Sequence, residues 1–273
     1  MTNVLKAGLM GVGVALLSLA PTQASQAAAA SQPGMSMSEV RDCMARNLAD
    51  RGVLRELTVT SSGQNASART LKMKLYWKPA KSGAARLNLR VVAPDDLRGA
   101  SFLMLSRGGK ENVYVYLPAT QQVQKVTGGM ASQPLWGTDV SYDEIKRLYG
   151  VVDSGAVTAR PDSKLGARSV HVLETRMPAD DARYKSIISY VDQESCVLLK
   201  ADFYDRNDKL VKSVEGDLAT LLHADKYWLM LNYAIKDLRS GAKTLVAMSD
   251  VSIMEGTRES MFDPAAFFKD DGK

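Results

Sequence analysis

The chain of 273 residues is 45% apolar and 24% charged, carries a formal net charge of +5, and holds only 2 His and 2 Cys. Two histidines cannot furnish a multi-histidine metal centre, and without a CxxC pair there is no zinc knuckle, c-type haem site or thioredoxin-type redox motif. The mild basicity is spread along the chain rather than gathered in a block, so it makes no nucleic-acid footprint, and a secreted globular protein is the class that fits.

Residues 1–29 read as a cleaved export signal. Lys6 supplies a positive start, Ala7 to Ala20 is an uncharged apolar core, and the small residues of TQASQAAAA offer cleavage near Ala24, Ala27 or Ala29. An N-terminal membrane anchor is the alternative, but the apolar core is shorter than the about 20 residues that a span requires. Residues 30–273 are then expected to form one exported domain. In an oxidising compartment Cys43 and Cys196 are a candidate disulfide, with two separate buried thiols as the other possibility.

Ser38 is placed to cap a short amphipathic helix with Val40, Cys43, Met44 and Leu48 on one face. From there the period becomes two. Leu71, Met73, Leu75 and Trp77 alternate with Lys72, Lys74, Tyr76 and Lys78, and Leu87, Leu89 and Val91 alternate with Arg86, Asn88 and Arg90. Further strands are expected at 54–61, 100–106, 112–117, 121–127, 151–159, 168–176, 184–192, 196–204, 209–215, 226–236 and 243–254. Turns separate many of them, as at Lys81-Ser82-Gly83, Arg107-Gly108-Gly109, Asp205-Arg206-Asn207-Asp208 and Ser240-Gly241. Short helices are expected at 141–149 and, with Pro264 at the first position, at 263–269.

This pattern predicts a mainly β fold with few helices: a single curved antiparallel sheet wrapped around helices, with an apolar cavity between them. The inner face is expected to carry Met73, Leu75, Trp77, Leu87, Leu89, Phe102 and Met104, and flexible thioethers among them suit an irregular apolar ligand. Catalytic signals are weak. His171 reads as a solvated strand residue and His223 as a loop residue, while the acid pairs Asp95-Asp96, Asp143-Glu144 and Asp180-Asp181 fall in turns or helix starts. No cofactor or metal is implied, and catalysis on envelope lipids or glycans ranks third among the readings.

Residues 113–145 read VYVYLPATQQVQKVTGGMASQPLWGTDVSYDEI. Tyr116, Leu117, Pro118 and Ala119, followed by Trp136, Gly137, Thr138, Asp139, Ser141, Tyr142, Asp143 and Glu144, resemble the LolA-like family of outer-membrane lipoprotein-sorting proteins. Tyr227-Trp228, Lys236-Asp237-Leu238 with Ser240-Gly241 and Thr244, and Met261-Phe262-Asp263-Pro264 resemble later pieces of it, whereas Val140 stands where an aromatic is expected. The resemblance implies a half-barrel that carries a lipoprotein acyl group or other lipid through the periplasm. It also implies an outer-membrane acceptor or an RND-type inner-membrane exporter as partner. Trp136 and Trp228 join the expected cavity set. A sensor or exporter-docking protein without cargo transfer is the competing reading.

Overall fold

The two-residue alternation that begins at Val53 and ends at Ile253 folds into one open antiparallel sheet of thirteen strands, with a separate two-stranded hairpin beside it. The computed structural model describes residues 35–47, 52–63, 67–79, 85–107, 110–142, 144–145, 156–179, 183–224, 226–254 and 258–269. The export signal over 1–29, the turn at Lys81-Ser82-Gly83, Gly108-Gly109, Asp180-Asp181, Asp143 and the end of the helix expected up to Tyr149 lie outside them. No helix among the described residues is long and apolar enough to cross a membrane.

The first meander comprises β1 (Val53–Ser62), β2 (Arg69–Pro79), β3 (Ala85–Ala93), β4 (Ser101–Arg107), β5 (Lys110–Leu117) and β6 (Gln122–Lys125). The second comprises β7 (Ala156–Leu165), β8 (Arg168–Arg176), β9 (Ser186–Asp192), β10 (Leu198–Tyr204) and β11 (Leu210–Gly216). After the hairpin β12 (Leu221–Ala224) and β13 (Tyr227–Met230), β14 (Asn232–Asp237) and β15 (Lys243–Ile253) return to the sheet. They join the meanders edge to edge: β14 pairs with β11, and β15 pairs with β1 from Val53↔Ile253 to Ser62↔Lys243. The strand expected at 226–236 is thus two strands that belong to different sheets, parted at Leu231, and β12 was not foreseen.

Residues directly opposite in an antiparallel pair share a face. Met73↔Val91, Leu75↔Leu89, Trp77↔Leu87, Leu87↔Met104 and Leu89↔Phe102 therefore put the predicted apolar set on one side. The same side continues through Leu57↔Met73, Val59↔Val246 and Val214↔Ile235 to Ala201. We call this the inner face. It is the largest core cluster of the protein and spans both meanders.

Helix α1 (Met37–Arg46) lies over one end of the inner face, where Val40 packs with Leu173 and Val191. Its cap is Ser36 rather than Ser38. Ser36 Oγ accepts from Glu39 N while the Glu39 carboxylate accepts from Ser36 N at 2.7 Å, the reciprocal box that Glu at the third helical position makes possible. The Cys43–Cys196 disulfide, Cα–Cα 5.6 Å, fastens this helix to the β9–β10 turn. Asn47 adds a second tie: its Nδ2 donates to Ser195 O, and its Oδ1 accepts from Trp228 N at 3.0 Å. His171 is buried, not solvated, with Nδ1 3.1 Å from Asp162 Oδ1, because its alternation places it on the face that α1 helps to cover.

On the outer face of β2–β5, Leu103, Tyr76, Tyr114 and Tyr116 are covered by a strap over residues 258–269, with Phe268 stacked on Tyr116 at 4.0 Å. The expected helix at 263–269 is instead a 3-10 turn (Glu259–Phe262) followed by a single loop of hydrogen bonds closed by Phe267 N to Asp263 O. Asn88 Nδ2 competes for the strap's carbonyls, donating to Met261 O at 2.7 Å and Phe267 O at 3.0 Å, which favours an unwound path. Glu259 closes the strap, accepting from Lys78 and Arg86.

Two expectations follow. Replacing Cys43 and Cys196 with Ala should lower unfolding free energy in urea by up to about 5 kcal/mol, the chain-entropy value for so long a loop. Those same hydrogen bonds from Lys78 and Arg86 hold the Glu259 carboxyl down to about 2 from its ordinary 4.5. A depressed acid stabilises the folded state fully above the unfolded value and loses that contribution as pH falls through the folded one. Protection of residues 259–269 against hydrogen exchange, taken relative to the intrinsic rate at each pH, should therefore fall between pH 4.5 and 2, and Glu259→Gln should show the lower protection even at neutral pH.

Candidate functional site

The inner face over the first meander is covered by residues 133–145. Trp136 (φ +48°) and Gly137 (φ +81°) both take left-handed backbone, which suits glycine and reverses the chain sharply. Thr138 locks the turn: its hydroxyl donates to Leu135 O at 2.8 Å and accepts from Val140 N at 3.3 Å, while Pro134 bridges to Ser141. Ser141 and Glu144 then form a capping box, Ser141 N donating to Glu144 Oε2 at 2.9 Å and Glu144 N to Ser141 Oγ. This geometry turns Leu135, Trp136, Val140, Tyr142 and Ile145 into the core, with the Tyr142 ring parallel to Phe102 at 6.1 Å.

Polar pins hold this cover to the middle of the sheet. Lys212 on β11, 1% exposed, donates to both oxygens of Glu144 at 2.9 and 3.0 Å and to Asp139 O at 2.6 Å. Thr244 on β15 donates to Asp139 Oδ2 at 3.1 Å and is hydrogen-bonded to Ser61 on β1. Tyr184 donates to Glu144 Oε1, and Arg183 lies 3.4 Å from the same oxygen while donating to Ser132 O. Burial alone would push the Glu144 carboxyl up, but Lys212 and Arg183, with hydrogen bonds from Tyr184 and the Ser141 amide, bring it below the usual carboxylate range. Burial, and then the neighbouring Glu144 charge, raise the Tyr184 phenol.

Met73, Leu75, Trp77, Leu87, Leu89, Phe102, Met104 and Trp136 all lie in this one cluster. Trp228 does not. It is half-buried beside Val197, Leu199 and Met230 in a separate cluster, with its ring stacked 4.4 Å from His223. Sequence reasoning missed Lys212, Arg183 and Tyr184. The alternation that would have turned Lys212 inward is interrupted because β11 carries an extra residue against β10, between Phe203↔Lys212 and Tyr204↔Leu210, so Val211 and Val214 both reach the core. The signal that was available is the carboxylate at Glu144: placed after an apolar turn, it demanded a cation from elsewhere in the chain.

A family model described as "Uncharacterized protein" matches residues 84–269. A DUF1329 family protein from Desulfovibrio piger shares the fold with a TM-score of 0.74 at 21% identity, over 83% of this chain and 95% of that one. A putative outer membrane lipoprotein-sorting protein domain from Vibrio parahaemolyticus is similar at TM-score 0.74 and 22% identity, over 84% and 96%. A LolA superfamily protein from Nitrosomonas europaea follows at TM-score 0.66 and 16% identity, over 84% and 98%. At these identities the likeness establishes a LolA-like fold. No curated protein matches in sequence.

Removing one partner of a buried ion pair strands the other, so Lys212→Met should cost about 3–5 kcal/mol in urea unfolding. The double change Lys212→Met with Glu144→Leu should recover most of that loss. Because the folded Glu144 carboxyl lies below its ordinary 4.5, its contribution is complete above that pH and fades in more acid solution. The double variant should lack this acid sensitivity.

Proposed function

The chain belongs to this family of uncharacterized proteins, DUF1329, and we propose that it is a periplasmic, non-enzymatic carrier that shields a lipid or lipoprotein acyl chain and moves it between envelope membranes. The carrying observation is the fastening of the cover. A continuous apolar face is shielded at one end not by a second sheet but by a short segment whose polar contacts are few and central. The cover's own Leu135, Trp136 and Tyr142 occupy the face as an acyl chain would, so cargo exchanges with them rather than filling an empty hole.

The energetics favour such an exchange. Each buried methylene is worth about 0.8 kcal/mol, so about 14 of them supply about 11 kcal/mol against the cost of association. The pins add little net stability, since a buried ion pair gains only modestly over its desolvation cost. Release then requires a surface that competes for the pins or for the chain. An outer-membrane acceptor or an RND-type inner-membrane exporter is the partner this reading assigns. Export through residues 1–29 brings the remaining domain, 30–273, to the compartment where such transfer occurs. The lipoprotein-sorting description of the Vibrio parahaemolyticus domain points the same way.

The protein holds 3 Trp, and two of them, Trp77 and Trp136, are on the covered face while Trp228 is not. A fatty acid brominated along its chain should therefore quench the fluorescence of the wild type. A variant carrying Trp77→Phe and Trp136→Phe, with only Trp228 left, should bind the same acid without quenching. Equal quenching in both proteins would place the chain elsewhere. No uptake at all by either would favour the sensor or docking reading.

A further inference from the structure

His171 on β8 is buried at 6% exposure, and its two ring nitrogens differ in what they meet. Nδ1 lies 3.1 Å from Asp162 Oδ1, and the same carboxylate is held by Gln193, whose Nε2 donates to Asp162 Oδ2 at 2.8 Å. A carboxylate accepts, so Nδ1 is the nitrogen that carries the proton and Nε2 presents a lone pair. That Nε2 is fully buried and has no hydrogen-bond partner among the described residues. A buried lone pair of this kind costs stability unless something meets it.

Three thioethers lie on the same side of the sheet. His171 sits opposite Val191 in the β8–β9 pair and two residues from Leu173, so these three share a face. Met35, Met37 and Met44, all half-buried, pack against the cluster that Val40 of α1 makes with Leu173 and Val191. Met37 and Met44 flank Val40 at helical spacing, and Met35 precedes the cap. A methionine stripe by itself is ordinary core; the unpartnered imidazole nitrogen on the face it covers is what points to a ligand. We propose that His171 Nε2 and these thioethers form a site for a soft monovalent cation, Cu(I) or Ag(I). Thioether and imidazole are ligands that such ions take, whereas Zn(II) prefers thiolate, imidazole and carboxylate. The contact of Nδ1 with Asp162 is the outer support that a metal-bound histidine ordinarily has, fixing both tautomer and ring. One carboxylate behind the ring also balances one positive charge. The ion ties α1 to β8, as the Cys43–Cys196 disulfide ties it to the β9–β10 turn. The site stands independently of the carrier reading.

Calorimetric titration of the exported protein with Ag(I) in chloride-free buffer tests this, with the disulfide first shown intact because a free thiolate would itself capture the ion. One Ag(I) should bind per chain, and Zn(II) should bind at least about a hundredfold more weakly. In nitrogen NMR the His171 Nε2 signal should move on binding while Nδ1 keeps its proton. His171→Gln should weaken Ag(I) binding at least about tenfold, and so should Met35→Leu, Met37→Leu and Met44→Leu together. The leucine variant nearly preserves side-chain volume, so it decides the matter should the histidine variant fail to fold. Absence of stoichiometric binding, equal affinity for Zn(II), an unmoved His171 signal, or Ag(I) affinity that survives in either variant overturns the site.

Discussion

The buried pairing of Lys212 with Glu144 is the constraint on which the covered face depends. An ammonium and a carboxylate lie together beneath a segment whose packing against the sheet is mostly apolar, at exposures of 1% and 5%. Such a pair specifies position more than it stabilises. Apolar side chains such as Leu135 and Val140 would tolerate several placements over a greasy sheet, but Glu144 has one location that satisfies its charge. Asp139 reinforces the choice, with its carbonyl on Lys212 and its carboxylate on Thr244. The cover is therefore registered by polar atoms and shielded from water by apolar ones.

The location of the pins follows from topology. β11, β15 and β1 lie close together in the strand order because β14 and β15 join the two meanders. Lys212, Thr244 and Ser61 come from those strands, so the cover is anchored at the seam of the sheet. The same strategy recurs on the opposite face, where Asn88, Lys78 and Arg86 fasten the strap over Tyr116 and Leu103. The outermost strands β6 and β7 are protected differently. β6 is four residues long, and β7 is exposed almost throughout and bulged between Arg160 and Ser163 around Pro161, features that discourage pairing with another chain.

Much of this was legible because period two is a strong signal where one face is buried. Leu71 to Trp77 and Leu87 to Val91 announced both their strands and their facing, and the register bears out that facing. The sharp turn at Gly137 was also readable, as was a cap for the segment after it from Thr138, Asp139 or Ser141, of which the structure uses Ser141, since both are local chemistry. Three things were not. The bulge at Val211 broke the alternation that would have placed Lys212 inside. The split at Leu231 sent two halves of one apolar run to different sheets, leaving Trp228 away from the face it was expected to line. His171 is buried because α1 and the bulged part of β7 that carries Asp162 come together there, and α1 is far from the residue in the chain.

The two pieces that lie over the inner face are fastened by different chemistry. Helix α1 is joined covalently through Cys43 to Cys196 and again through Asn47, so its separation from β9 and β10 requires breaking a bond or unfolding. The cover is held by an ion pair and hydrogen bonds, each of which water or a competing surface can replace one at a time. In the proposed carrier, the motion that admits cargo would therefore begin at residues 133–145, with α1 as the fixed side of the opening.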